Sequence, residues 1–249
     1  MISIQHLGVG EAFDTTHYNN SHLIKTPKTA ILLDCGYQIP QQLFKNKQDA
    51  NFIEYIYISH LHADHYFGLP PLLVWMAEEQ RSTPLTILTG PNTTEKILQT
   101  IDLGYRGCFE KLPFKLNIHE LQEKEPYQAK DIEIHIAPTQ HSVQNFAISL
   151  TVHNKKICYS GDGKNTAASA RLYHHSDVLI HEAYTYDEPL TGHSNTKEIL
   201  EMAKRQNIKQ LLLCHMQRNK RKQIIDKLKK EEIKDLKILT PKPNQTLQL

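Results

Sequence analysis

"SHLHADHYFGLPPLL" (residues 59–73) places three histidines and an aspartate within six positions, directly after the apolar run "EYIYI" (54–58). Burying three imidazoles and a carboxylate at a strand end leaves many polar groups unsatisfied unless a cation takes them. In a tight loop, the alternate residues His60 and His62 can turn toward one ion. Asp64 and His65, on the following turn, can face a second. A third histidine and an acidic bridge are then required, and His141, Asp162 and His215 stand at later strand ends. Imidazole nitrogen mixed with carboxylate oxygen suits zinc, and manganese or iron accept the same donors. A coordination shell left partly to water makes such a site catalytic, whereas a closed four-ligand shell is structural.

Around this stretch, β-rich runs recur: "ISIQHLG", "TAILLDCG", "EYIYISH", "LTILTG", "DIEIHIAP", "FAISLTVH", "KICYSGD", "DVLIHEA" and "QLLLCHM". Helical patterns lie between several of them, in "GLPPLLVWMAEE", "PNTTEKILQTID", "NTAASARLYHH" and "NTKEILEMAKRQ". Ser194 precedes the last as an N-cap candidate, with Glu198 early in the helix, where a carboxylate suits the dipole. The order predicts an α/β layered sandwich, sheets packed together with helices outside. In "ISH", "APTQH", "YSGD", "LIHE" and "LLCH", a His, Asp or Glu directly follows an apolar strand. Rigid sheets position such loops, so five strands delivering ligands to their C-terminal ends predict one convergent site.

Composition sets the bounds. The 249 residues carry no Gly/Ser-rich or Pro-rich linker and no repeat, which predicts one domain over 1–249. A mean hydropathy of −0.50 and the lack of a long apolar stretch argue against a membrane protein. The N-terminus "MISIQHLGVGEAFD" lacks the basic-then-apolar order of a signal peptide. Cys35, Cys108, Cys158 and Cys214 form no C-x-x-C pair, and three sit in or beside apolar runs. Buried free thiols fit a reducing cytoplasm. A net charge of +2 says little about partners, whereas 15 histidines are unusual. His6, His17, His22, His119, His135, His153, His174 and His175 lack a ligand context and read as surface or packing residues.

H-x-H-x-D-H after an apolar strand resembles the metallo-β-lactamase superfamily, and the likeness extends over nearly the whole chain. "LGVGEAFDTTHYNNSHLI" (7–24), "ILLDCG" (31–36), "YSGD" (159–162), "DVLIHEAY" (177–184) and "GHSNTKEILEMAKRQNIKQLLLCHM" (192–216) resemble, in order and spacing, the ribonuclease Z branch and its smaller phosphodiesterase relatives. The resemblance implies an αββα four-layer sandwich, two mixed β-sheets flanked by helices, with metals at one edge. It implies His60, His62 and His141 on one zinc, Asp64, His65 and His215 on the other, and Asp162 bridging. Asp34 would brace the ligand loop from behind. Glu182 and His193 match the proton-donating pair of ribonuclease Z, and Asp64 would also orient the nucleophile, a hydroxide shared by the two zinc ions. Relatives that dimerise imply a homodimer.

Two departures bear on the substrate. Ribonuclease Z normally inserts a long tRNA-gripping arm between the third histidine and the bridging aspartate, but here only "SVQNFAISLTVHNKKICYSG" (142–161) separates His141 from Asp162, room for two strands and a turn. "GDGKN" (161–165) replaces the family's threonine-arginine, leaving Lys164 as a substitute phosphate contact, a point charge without the guanidinium fork. "RNKRKQIIDKLKKEEIKDLK" (218–237) is basic enough to touch RNA phosphates, yet Ile224, Ile225, Leu228, Ile233 and Leu236 trace a helical stripe, with i,i+4 pairs Asp226–Lys230 and Lys227–Glu231. A solvated amphipathic helix is the expectation there. Phe67 and Trp75 read as pocket lining or as core. A phosphodiesterase for a compact phosphodiester leads. Its alternatives are tRNA 3′-processing by an armless ribonuclease Z and hydrolysis of a thioester or lactone. A non-catalytic scaffold would tolerate missing ligands, and none is missing.

Overall fold

Alternation along the apolar runs decides the layering. The computed structural model describes residues 1–45 and 49–249. Its first half runs β1 (Ser3–Gly8), β2 (Ser21–Lys25), β3 (Ala30–Leu33), α1 (Ile39–Lys45), β4 (Tyr55–Ile58), α2 (Ala63–Tyr66), α3 (Leu69–Glu78), β5 (Leu85–Thr89), α4 (Thr94–Gly104), α5 (Cys108–Lys111) and β6 (Leu116–Glu120). The second half runs β7 (Tyr127–Ala129), β8 (Ile132–Pro138), β9 (Phe146–Val152), β10 (Lys155–Tyr159), α6 (Ala167–Tyr173), β11 (Val178–Glu182), α7 (Thr196–Arg205), β12 (Gln210–Cys214), α8 (Arg221–Leu228), β13 (Lys237–Leu239) and β14 (Thr246–Gln248).

The strands form two seven-stranded sheets, ordered β14-β1-β2-β3-β4-β5-β6 and β13-β12-β11-β10-β9-β8-β7. Each begins with antiparallel pairs and turns parallel, from β3 to β6 in one and from β10 to β13 in the other. Ile31 and Leu33 of β3 point into the core between the sheets, while Ala30 and Leu32 face the α1, α3 and α4 side. In β12, Leu212 and Cys214 face inward, and Leu211 and Leu213 meet α7 and α8. Strands buried on both faces must read as continuous apolar runs, which is how the sequence showed them. The result is the expected αββα arrangement of two mixed sheets flanked by helices.

Several local expectations change. Asn195, not Ser194, caps α7, its Oδ1 accepting from the Glu198 N–H at 3.0 Å. Ser194 Oγ instead donates to the Gly163 carbonyl at 2.9 Å. The basic C-terminal stripe does not form one helix, because α8 ends at Leu228. Ile224 and Leu228 are buried, and Ile233 and Leu236 reach the same cluster from the chain beyond. Lys227 pairs with Asp187, and Asp226 with Lys229, rather than at i,i+4. Trp75 packs on Phe44 in the helix-side core, whereas Phe67 is exposed. Cys35, Cys158 and Cys214 are buried free thiols. Among the described residues, no helix is long and apolar enough to cross a membrane.

Glu120, at the end of β6, fixes the start of α4. Its carboxylate accepts from the backbone N–H groups of Asn92, Thr93 and Thr94 at 2.9–3.0 Å. Burial works against the charge, but these donors win and bring its pKa to about 2. The stabilisation is therefore complete above the ordinary value of 4.5 and is lost as the pH falls through about 2. Replacing Glu120 with alanine should cost about 1 kcal/mol of stability at neutral pH, the usual worth of a helix cap. Denaturant unfolding measures it, and an unchanged midpoint would deny Glu120 the capping role.

Candidate metal centre

The potential ligands sit at the C-terminal ends of strands that run the same way. Asp34 follows β3, His60 follows β4, His141 follows β8, Asp162 follows β10, Glu182 ends β11 and His215 follows β12. Extended backbone at His62 starts α2, which carries Asp64 and His65 one turn on. The expected split of the H-x-H-x-D-H loop into two pairs follows from that change of conformation. Asp34 and His215 both adopt positive φ, 58° and 51°, a bend that Asp and His tolerate better than most residues. Gly163 lies at φ +100°, and a Cβ there would come within 2.7 Å of the Gln140 carbonyl oxygen. Only glycine fits immediately after Asp162.

All seven sequence-predicted ligands converge. His62 Nδ1 lies 3.1 Å from His60 Nε2 and 3.1 Å from His141 Nε2. Asp162 Oδ2 lies 3.9 and 4.0 Å from those two Nε2 atoms, closing a first group of four donors. His65 Nε2 and His215 Nε2 lie 3.2 and 3.4 Å from Asp64 Oδ2, a second group. The same Asp162 oxygen is 3.5 Å from His65 Nε2 and 3.4 Å from His215 Nε2. Asp162 thus faces both groups.

Hydrogen bonds behind the imidazoles aim their lone pairs inward. Asp34 Oδ2 accepts from His65 Nδ1 at 2.7 Å, from Ser59 Oγ at 2.7 Å and from Tyr159 Oη at 2.6 Å. Its Oδ1 accepts from the Ser59 N–H at 2.7 Å. With its proton on Asp34, Ser59 Oγ accepts from His60 Nδ1 at 3.0 Å. His141 Nδ1 donates to the Gly192 carbonyl at 2.6 Å. His60, His65 and His141 therefore all turn Nε2 toward the carboxylates, with Nδ1 engaged behind. Lone pairs converging on lone pairs repel unless a cation lies between them. Buried Asp162 Oδ1 and His65 Nε2 have no hydrogen-bond partner among the described residues. The donor set fits divalent metal.

The electrostatics show the same demand for positive charge. Burial opposes charge on His65, yet Asp162, Asp64 and Asp34 push its pKa well above the ordinary value. Burial likewise opposes charge on His215, but Asp162, Asp64 and Glu182 raise it to about 10. His60 is held neutral, chiefly by burial. Asp162 is held far below the usual carboxylate range, because His215 and His65 outweigh its burial.

Beside this cluster lies a second pair. Glu182 is fully buried, and its Oε2 accepts from His193 Nδ1 at 2.8 Å. The Gly163 N–H and, at 3.3 Å, the Ser194 N–H donate to its Oε1. Burial opposes charge on His193, but Glu182 raises its pKa above the ordinary value. Asp162, Glu182, His193 and His215 form a third close group. Tyr184 stacks on His193, ring centroids 4.3 Å apart and planes at 20°. Tyr184, Tyr159, Ser59 and the Gly192 carbonyl were not anticipated as parts of the site. "YSGD" and "SHLH" contain two of them, but nothing in spacing shows what a phenol will meet 125 residues away. The chain between His141 and Asp162 is the β9–β10 hairpin, with no inserted arm. Lys164 pairs through its backbone with Gln140, next to His141. Of the other histidines, His6 and His22 form a buried pair with Nδ1 atoms 2.9 Å apart.

Known proteins share this plan. Ribonuclease Z of Methanothermobacter thermautotrophicus is 25% identical over an alignment of 280 residues covering 90% of each chain. The metallo-β-lactamase fold protein YhfI of Bacillus subtilis superposes with a TM-score of 0.83 at 21% identity, covering 99% of this chain and 98% of that one. The short form of human tRNase Z superposes at 0.81 with 24% identity and the same coverage. The structural likenesses establish the fold. With the sequence relatives and the donor cluster, they define a metal-dependent hydrolase of the metallo-β-lactamase superfamily, ribonuclease Z-like. Within it, the chain belongs to the family described as "Anti-Pycsar protein Apyc1", whose model matches residues 2–237.

Asp34→Asn tests the bracing role. The expected result is a loss of about 10–100-fold in Zn²⁺ or Mn²⁺ affinity by chelator competition, with circular dichroism preserved. Unaltered affinity would confine Asp34 to a role in the fold.

Proposed function

We propose that this chain is a phosphodiesterase acting on a compact phosphodiester with two divalent cations, zinc foremost. His60, His62 and His141 would hold one and Asp64, His65 and His215 the other, with Asp162 facing both groups. Bound there, the cations supply Lewis acidity toward phosphoryl oxygens and lower the pKa of water from ~16 toward ~7. Asp64 orients the attacking oxygen. His193 carries the proton for the leaving oxygen at the nitrogen not bonded to Glu182, whose carboxylate holds the ring and favours its charged form. Lys164 is a candidate phosphate contact beside His141.

The pairing of fully buried Glu182 with half-buried His193 carries this reading. A charged carboxylate with no water around it is costly unless a donor group uses it. An alkoxide leaving group needs such an acid, while a thioester's thiolate leaves with less help. RNA as substrate is the second reading, supported by the relatives named ribonuclease Z. The plain β9–β10 hairpin supports the smaller substrate, since tRNA would have to bind through the body alone. A homodimer and a cytoplasmic location complete the proposal.

His193→Ala should keep its metals, by elemental analysis, and lose ~10²–10⁴-fold in turnover of a 3′,5′-cyclic nucleotide, whose leaving group is an alkoxide. Bis-p-nitrophenyl phosphate, with a leaving group that needs no acid, should suffer far less. Equal losses on both, or loss of metal, would remove His193 from the donor role. Cleavage of precursor tRNA in preference to both small esters would favour the second reading.

A further inference from the structure

His193 is held by less than a proton donor needs. One hydrogen bond, from Nδ1 to Glu182 Oε2 at 2.8 Å, fixes its imidazole, and Nε2 has no partner among the described residues. A single bond leaves a planar ring free to swing about the bond axis. The chain reaches His193 from an exposed segment, 187–191, and the side chain itself is 24% exposed. Neighbouring imidazoles constrain it little: His141 meets it edge-on, centroids 5.1 Å apart at 75°, and His215 lies 6.1 Å away. A ring that wanders loses the alignment on which proton transfer to a leaving oxygen depends.

Tyr184 supplies the second constraint. Its ring lies 4.3 Å from that of His193 with the planes at 20°, the shortest ring contact His193 makes among the described residues. The Tyr184 backbone is pinned on both sides. Its N–H donates to the carbonyl of Ser194, next to His193, at 3.1 Å, and its carbonyl accepts from the Gln217 N–H at 3.1 Å. Glu182 ends β11 and Tyr184 stands two positions on, so in extended chain the two side chains leave on the same side. One strand end thus delivers the carboxylate that holds a ring nitrogen and the phenol ring that covers a ring face. The Tyr184 hydroxyl makes no hydrogen bond among the described residues, which leaves the aromatic face as the part that meets His193.

We infer that Tyr184 is a positioning residue for the proton donor: stacked on one face of His193, it restrains the imidazole about the bond to Glu182. This rests on the reading of His193 as the donor and adds the group that aligns it.

Tyr184→Leu removes the ring and Tyr184→Phe keeps it, both measured on the zinc-loaded protein with the two esters used for His193. Tyr184→Leu should lower kcat on the 3′,5′-cyclic nucleotide roughly two- to tenfold, the worth of an aromatic pair, with KM little changed. Bis-p-nitrophenyl phosphate should lose far less, and Tyr184→Phe should recover the rate on the cyclic ester. In a His193→Ala background, Tyr184→Leu should cost nothing more. By NMR, the carbon-bound ring protons of His193 should lie upfield of an unstacked histidine's in the wild type and in Tyr184→Phe. Ordinary shifts in the wild type would overturn the stacking whether or not the variants fold. Equal losses on both esters, a Phe variant as impaired as Leu, or a further loss in the double variant would overturn the positioning role and leave the donor standing. If His193→Ala itself loses equally on both esters, the donor reading falls and this inference with it.

Discussion

One carboxylate oxygen, Asp162 Oδ2, lies within 4.0 Å of imidazole nitrogens from His60, His65, His141 and His215, all in a buried setting. Asp64 and Glu182 add two more carboxylates close by. An unpaired buried carboxylate costs several kcal/mol, so this arrangement persists only while positive charge occupies it. Protons on His65 and His215 can supply that charge, and so can metal ions, but not both at once at the same nitrogen. Metal binding is therefore exchanged against protons, and it is coupled to the stability of the loops that carry the donors.

The sheets make that concentration of charge affordable. Parallel strands β3 and β4 of one sheet, and β8, β10, β11 and β12 running together in the other, end on one edge of the sandwich. Apolar side chains fill both faces of these strands, which leaves their C-terminal ends as the place where polar residues can stand without interrupting a core layer. Open α/β sheets generally use that edge for ligands. Asp34 then joins the two sheets beneath the site, accepting from Ser59 and His65 of the first and from Tyr159 of the second. Core packing and ligand direction meet in one side chain.

Much of this was visible in the residues alone, for a physical reason. Burial on both faces makes apolar runs, and abrupt polar residues at their ends mark one functional edge, so the main strands and all seven donors could be read. The three-residue strands β7, β13 and β14 carry too few residues to show a period. The C-terminal stripe misled because Ile233 and Leu236 are apolar for the same core as Ile224 and Leu228, but the chain turns at Lys229–Lys230 while Glu231 bonds to Tyr186. Ser194 and Asn195 are both good caps, and the choice between them depends on Gly163, which pairing in space brings to Ser194. Residues that orient donors from behind, Tyr159 above all, show no local pattern. Glu182 and His193 were legible only through resemblance, since they stand eleven positions apart with a loop between them.

Glu182 also links the two ends of the centre. Its Oε1 takes the N–H of Gly163, next to Asp162, and the N–H of Ser194, next to His193, while Oε2 takes His193 itself. A shift of the Asp162 loop must therefore move the carboxylate that aims the imidazole, and the reverse also holds. Burial raises the cost of ionising Glu182, and His193 and His215 outweigh it, holding its pKa below the usual value. Glu182 is thus kept charged by His193 and by His215, a residue of the second donor group. The charge on His193 at one end and on the Asp162–His215 group at the other thus both bear on the same buried side chain, and through it on how the His193 ring is held.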